Sequence, residues 1–376
     1  MKMLDYVKMA NARLSENLED AASLVSPVVG AFVASGLDSV RIVASGSSRH
    51  AADCAREFME RTLGMPVLVE TPEAYVSHEG AHMVDAFSIA ISQSGYSTNT
   101  LAALDSMRRE GASVVALTGN VKSPIAEHAE VVVDYGVGVE SVDFVTMGVM
   151  ALIEFLVLFA GFAAGDGESA VDGLRDAVDA HAAMLERSMG FVGEHGHVLS
   201  RKSPIIVVGN GPLYGVAEEA ALKFCETLKV PAMHFEGEEF VHGPEMQITP
   251  DYTVFILDDP EGSKRLASIA HAISRVAGAT FFVTARPSGE PYEVPVPAAA
   301  RPELAAIPVL VLFQWIAASV TERLSCWDVH PYLAEVEDEL AAKAAGYDAS
   351  VKELERRAAS RYEDAARRSA ISIAST

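Results

Sequence analysis

The chain reads as an α/β protein made of two parallel sheets in tandem, each sandwiched between helices. Three observations predict this. Short apolar runs alternate with helix-length stretches through most of its 376 residues. The runs are continuously apolar, as expected of strands covered on both faces. A strand, a glycine-bearing turn and a helix occur near residue 41 and again near residue 205, so one unit is repeated.

The first unit opens with a predicted strand at 41–44, then Ser45-Gly46-Ser47-Ser48 and a helix to about residue 61. Further strands are predicted at 67–70, 88–91, 113–117 and 131–134, mostly runs rich in Val and Ile. An apolar helix at 144–162 closes the unit. Its neighbourhood, 147–165, is apolar enough to resemble a membrane span, but Glu154 interrupts it and Gly161, Ala163 and Ala164 dilute it. A buried or interface helix, and no membrane contact, is the expectation. The charged stretch 166–194 predicts a helical link. The second unit starts at 205–208, turns at Gly209-Asn210-Gly211-Pro212 and continues as a helix. Strands at 253–257 and 280–284 and an apolar helix at 308–319 follow. Residues 335–368 are rich in Ala, Glu, Lys and Arg and predict a helical tail, either solvated or packed on a partner subunit. The expected divisions are 25–165, 166–195, 196–328 and 329–376.

A formal charge of −23 argues against nucleic-acid binding, which needs basic surface. No signal peptide is expected, since the first residues lack a basic, apolar-cored segment. Its three cysteines, Cys54, Cys225 and Cys326, form no C-x-x-C pair, which fits a reducing cytoplasm. Cys225 is expected to be a small buried side chain. The histidines show no metal-ligand spacing, and no metal or other cofactor is expected.

Two serine-rich turns follow strands of the first unit: Ser45-Gly46-Ser47-Ser48 and Ser92-Gln93-Ser94-Gly95-Tyr96-Ser97. Free backbone N–H groups at the following helix, with hydroxyls of Ser47, Ser48, Ser92, Ser94 and Ser97, suit a phosphate. In an open parallel sheet both turns face the carboxyl-end crevice. Serine before a helix is otherwise an ordinary cap. In the second unit Glu219, Lys223 and Glu226 are spaced i, i+4 and i+7, on one helix face. They form either a surface ladder of charges or a proton-transfer group. His242 follows sixteen residues after Glu226 in a His-Gly-Pro turn, and an imidazole titrates near neutrality.

These motifs resemble a known family. The run from Gly209 through Glu226, G-x-G-x-x-Y-x-x-A-x-E-x-A-L-K-x-x-E, and then Glu239-Phe240-Val241-His242-Gly243-Pro244, are similar to the second sugar-isomerase (SIS) domain of double-SIS proteins. That group includes the isomerase half of glucosamine-6-phosphate synthase and the fructosamine-6-phosphate deglycases. Ser92 to Ser97 matches its phosphate motif. The resemblance implies two flavodoxin-like αβα domains, a 6-phosphosugar ligand and a homodimer or higher homo-oligomer. It assigns phosphate contacts to Ser47, Ser92, Gln93, Ser94 and Ser97. It makes Glu226 the carrier of a proton between C1 and C2, places Lys223 in the same site, and has His242 open the sugar ring, from the neighbouring subunit in the synthase.

The chain also departs from the pattern. It begins Met1-Lys2-Met3 without a glutaminase segment, so glutamine-dependent synthesis is not expected. In 139–148 Met147 stands where many relatives have lysine, and Ser141 or Val145 takes the place of their serine. Lys343 is the candidate for the lysine that the synthase tail brings to the sugar. The expected activity is that of a fructosamine-6-phosphate deglycase, with an amino-sugar-phosphate isomerase or deaminase, or a non-catalytic phosphosugar sensor, as alternatives.

Overall fold

The computed structural model describes residues 2–77, 85–141, 144–328, 331–340 and 342–357. Ahead of the first expected strand lie two helices, α1 (Met3–Glu19) and α2 (Ala21–Ser35). The first unit then runs β1 (Val40–Val43), α3 (Ser47–Leu63), β2 (Val67–Glu70), α4 (Pro72–Ser77), β3 (Phe87–Ile91), α5 (Thr98–Glu110), β4 (Val114–Thr118), α6 (Ile125–His128) and β5 (Val131–Asp134). Helices α7 (Met147–Ala163) and α8 (Gly167–Leu199) lead to the second unit. This runs β6 (Ile205–Val208), α9 (Pro212–Lys223), β7 (Ala232–Phe235), α10 (Gly237–Phe240), β8 (Thr253–Leu257), α11 (Lys264–Ile273), β9 (Ala279–Thr284) and β10 (Glu293–Pro295). Helices α12 (Ala306–Leu324) and α13 (Pro331–Leu340) follow, then a helical stretch at 347–357.

The sheets are five-stranded and parallel, ordered β2-β1-β3-β4-β5 and β7-β6-β8-β9-β10. The sequence repeat is therefore a repeat of topology. Interior strands such as β1, β3, β6 and β8 are buried at every position, which is why they read as largely apolar runs. The two strands without a sequence expectation, β7 and β10, are edges. Every residue of β7 is only half-buried, and β10 is three residues long and ends in Pro295. An edge strand needs less apolar character and tolerates proline.

Helix α7 is buried along nearly its whole length and packs on α1, α2, α3 and α8. Glu154, which interrupts its apolar run, is wholly buried and accepts a hydrogen bond from Asn17 Nδ2 at 2.8 Å. Among the described residues one helical stretch, Pro302–Leu324, is long and apolar enough to cross a membrane, and 89% of its most apolar window is buried within the protein. Helix α12, within it, packs on α1, α8 and α9. A core shared by both units explains its apolarity.

The two units also meet where α3 packs on α9, the first helix of one sheet against the first helix of the other. Gly215 permits this approach. A Cβ there would stand 2.7 Å from the Cys54 backbone nitrogen and from the His50 carbonyl oxygen. The polar side chains of both helices are thereby gathered at one seam.

Candidate active site

In a 2-1-3-4-5 parallel sheet the strand order reverses between strands 1 and 3, opening a crevice beyond their carboxyl ends. The turns after β1 and β3 meet there, joined by Asn99 Nδ2 donating to Ser45 Oγ at 2.9 Å. The second turn is tightly wound. Ser92 Oγ accepts from the Gly95 N–H at 3.1 Å and donates to Ser97 Oγ at 3.1 Å, and the Tyr96 N–H donates to Ser94 Oγ at 3.2 Å. Gly95 has φ +71°, and a Cβ on it would overlap Ser123 Oγ at 1.7 Å, so the turn requires glycine.

Gln93 is half-buried and held at both ends of its amide. Its Oε1 accepts from Tyr135 OH at 3.0 Å, and its Nε2 donates to Glu140 Oε2 at 2.8 Å. Glu140 in turn accepts from the N–H groups of Thr146, Met147 and Gly148 at 2.8–3.0 Å. This carboxylate fills the anion-attracting start of α7. Glu140 carries no capping signal in the sequence, because it stands seven residues before the first residue of α7 instead of at a capping position. Ser141, one candidate for the relatives' serine, accepts at Oγ or donates to Tyr6 OH at 3.0 Å, while Val145 lines the cavity beside Ser94.

The tail returns to this turn. Lys343 pairs with Ser97 as an isolated antiparallel bridge, and the Ala344 N–H donates to the Tyr96 carbonyl at 2.8 Å. Lys343 Nζ lies 3.4 Å from Ser94 Oγ and 3.3 Å from Ser97 Oγ. A cavity of about 110 Å³ opens beside it, lined by Gln93, Ser94, Lys343, Tyr347 and Ser350 among others. The tail thereby brings a lysine ammonium to the serine turn.

The second group crosses the α3–α9 seam. Lys223 is fully buried, its Nζ 3.1 Å from Glu219 Oε1, 2.7 Å from Glu226 Oε2 and 3.2 Å from Ser47 Oγ. Ser47 Oγ also donates to Glu219 Oε1 at 3.0 Å, and His50 Nδ1 lies 2.9 Å from Glu219 Oε2. Ser47 thus belongs to this buried network, and Ser48 beside it is buried too. With Glu219 and Lys223 both at 0% exposure, the spacing seen in sequence is no surface ladder. Glu226 is the member that reaches solvent, with its side chain 29% exposed.

Local backbone geometry makes this pairing. The α-helix ends at Lys223, and Phe224–Leu228 forms a π turn, a feature common at functional sites. Within it Thr227 Oγ1 donates to the Lys223 carbonyl at 2.8 Å. Cys225, on this turn, is exposed, which corrects the expectation of a buried side chain: the wide turn directs it away from the core. The turn ends at Lys229 (φ 55°), whose Nζ donates to the carbonyls of Glu226, Thr227, Cys326 and Trp327 at 2.7–3.3 Å.

The charges set one another's proton affinity. Burial pushes the Glu219 carboxyl up, but Lys223 and His50 outweigh it and hold it below the usual range. Burial pulls Lys223 down, but its two carboxylate neighbours hold it above the usual lysine value. For Glu226 burial prevails over the attraction of Lys223, and its carboxyl is raised. A raised, partly exposed carboxyl beside a fixed ammonium is suited to accept and return a proton.

His242 lies on an exposed turn, its Nδ1 2.6 Å from the Glu238 carbonyl oxygen. Glu238 is clamped by Arg265 at 2.7 and 3.0 Å. Among the described residues no hydrogen bond or ion pair joins His242 to Glu219, Lys223 or Glu226. The structure therefore brings together Ser47, Glu219, Lys223 and Glu226, and separately Ser92, Ser94, Ser97 and Lys343.

Comparison with known proteins agrees with this architecture. The chain belongs to the SIS domain family, whose model matches residues 37–160 and 198–289. It is 29% identical over 280 residues to the glutamine–fructose-6-phosphate aminotransferase (isomerizing) of Pyrobaculum aerophilum, covering 72% of this chain and 46% of that protein. The chain thus spans about half the length of that relative. Among solved structures it resembles a candidate phosphosugar isomerase from Clostridium difficile 630, with TM-score 0.81 and 21% identity over 89% of this chain and 98% of that one. It also resembles a glucosamine-6-phosphate deaminase from Thermotoga maritima, with TM-score 0.71 and 16% identity over 86% and 95%. At these identities the structural likenesses establish the fold.

Proposed function

We propose that this protein processes a 6-phosphosugar derivative by moving a proton between C1 and C2, as a fructosamine-6-phosphate deglycase. The observation that carries this reading is the Lys223 ammonium, buried between Glu219 and a partly exposed Glu226 whose carboxyl is raised. The phosphate would dock on Ser92, Ser94 and Ser97, with Lys343 supplying positive charge and the Ser48 end of α3 facing the same crevice. Glu226 takes a proton from C1 of the open-chain ketosamine, giving an enolamine, and returns it to C2. The resulting C1 imine is hydrolysed by water to an aldose 6-phosphate and a free amine. His242 opens the ring or protonates the leaving amine. No redox cofactor is needed for this step, because electrons only shift among nitrogen, C1, C2 and the C2 oxygen: the carbonyl oxygen gains a proton as the enolamine forms, and the amine N–H proton is lost as C2 is protonated. The exposed position of His242, away from Glu226, favours its acting on a neighbouring copy in a homodimer or larger homo-oligomer.

The test is a product assay with fructosamine 6-phosphates, glucosamine 6-phosphate and fructose 6-phosphate. Glucose 6-phosphate plus free amine is expected from the first. Ammonia from glucosamine 6-phosphate would instead make the enzyme a deaminase. Glu226→Gln is expected to abolish turnover while phosphosugar binding stays within about tenfold. Ser94→Asp is expected to lose binding by placing an anion where the phosphate sits. Turnover retained in Glu226→Gln would overturn the proton-carrier role.

A further inference from the structure

We propose that His50 is a positioning residue: from α3 of the first unit it fixes the Glu219 carboxylate, and through Glu219 it holds Lys223 against Glu226. The proposal rests on the reading of Glu226 as the proton carrier.

The geometry is complete on both oxygens of Glu219. Oε1 faces Ser47 Oγ at 3.0 Å and Lys223 Nζ at 3.1 Å, and Oε2 faces His50 Nδ1 at 2.9 Å. Glu219 is a charged acceptor, so His50 donates through Nδ1–H whether its ring is neutral or cationic. Both side chains are nearly closed off, with His50 at 9% exposure and Glu219 at 0%. Water therefore does not replace the imidazole easily. Without that donor, Oε2 is left bare in a dry site. The carboxylate then turns toward its remaining partners and draws Lys223 away from Glu226.

Other charged and titratable groups stand around the imidazole: Arg49 and Asp53 on its own helix, Glu218 and Lys223 on α9, Glu226 on the π turn and His234 on β7. Arg49 pairs with Glu218 at 2.6 Å and with Asp53 at 3.4 Å, which leaves His50 as the partner of Glu219 Oε2. The contact joins residues 169 positions apart and crosses the seam between the units. The alignment of the candidate base is thereby tied to the docking of one unit on the other.

The experiment compares wild type, His50→Ala and His50→Asn in the full-length protein, with circular dichroism as the folding control. Asn places an amide N–H near the position of Nδ1 without a titrating ring. Two readouts are taken: steady-state kinetics against pH on whichever phosphosugar turns over, and the pH titration of the Lys223 ¹⁵Nζ signal by NMR. His50→Ala is expected to lower kcat about tenfold or more with KM within about threefold, and to displace the acid limb of the kcat profile. Lys223 is expected to lose its proton at lower pH in that variant, and His50→Asn is expected to restore both readouts. An unchanged acid limb together with an unchanged Lys223 titration in His50→Ala overturns the proposal and leaves the proposed function standing. Absence of turnover by wild type on every phosphosugar overturns the function instead, and the lysine titration then decides the positioning role alone.

Discussion

At the scale of single residues, Lys223 is the most constrained side chain in the site. A lysine with no exposed surface persists only because two carboxylates and a hydroxyl surround its ammonium. Removing it in Lys223→Ala strands Glu219 in the interior, and a loss of about 3–5 kcal/mol is expected in urea unfolding. The pH dependence has a definite sign. Glu219 is held below the ordinary carboxylate value by Lys223 and His50 against the opposing effect of burial. Its contribution to stability is therefore full above the unfolded value of 4.5 and is lost as pH falls through the lower folded value. A wild-type acid-unfolding curve that is steeper below pH 4.5 than that of Glu219→Gln is the expected result. The trio itself was legible in the sequence, because Glu219, Lys223 and Glu226 share a helix face by spacing alone. Whether that face was wet or dry was not legible. Burial comes from α3, a helix more than 150 residues earlier in the chain. His50 was missed for the same reason: its partner Glu219 lies 169 positions away.

At the scale of elements, helix α7 shows why a lone charge need not end an apolar run. Glu154 is buried with one oxygen on Asn17 and the other without a hydrogen-bond partner. Burial raises its carboxyl well above the usual range, against the weaker pull of Asn17 and Arg13. The fold therefore holds its proton more tightly than the unfolded chain does, so folding is penalised as pH rises above the unfolded value of 4.5. Glu154→Gln keeps the acceptor for Asn17 and removes that penalty. Its Tm is expected to match wild type in acid and to exceed it by a few degrees at neutral pH, by differential scanning calorimetry. A Tm lower than wild type at pH 7 would show that Glu154 is ionised in the folded state. The elements themselves were largely readable. The interior strands gave largely apolar runs, as did the edge strands β2 and β5, but β7, interrupted by His234, and β10, three residues long and ending in Pro295, did not. The π turn at Phe224–Leu228 was not readable either, since its residues continue an ordinary helical pattern.

At the scale of the whole molecule, the site is assembled from distant parts. Lys343 reaches Ser94 across 249 positions and Ser47 reaches Glu219 across 172. His242 remains outside this assembly. If a neighbouring copy completes the site, two inactive variants should rescue each other. Glu226→Gln and His242→Gln, mixed under conditions that exchange subunits, are expected to regain about a quarter of wild-type activity. Half of the dimers are then mixed, and one of the two sites in each is intact. No recovery, with mixed dimers verified by mass spectrometry, would place His242 in the site of its own chain.

What the sequence by itself determined was the repeated strand-turn-helix unit, the parallel character of the sheets, the two serine turns and the identities of the acid, lysine and imidazole groups. These follow from local chemistry: apolar runs, glycine turns and side-chain spacing along one helix. The tertiary structure alone decided which of those groups meet. It closed α3 on α9 over Gly215, dried Glu219 and Lys223, left Glu226 open and laid the tail lysine on the serine turn. Burial and long-range contact depend on how one surface packs on another, and that information is shared between segments far apart in the chain.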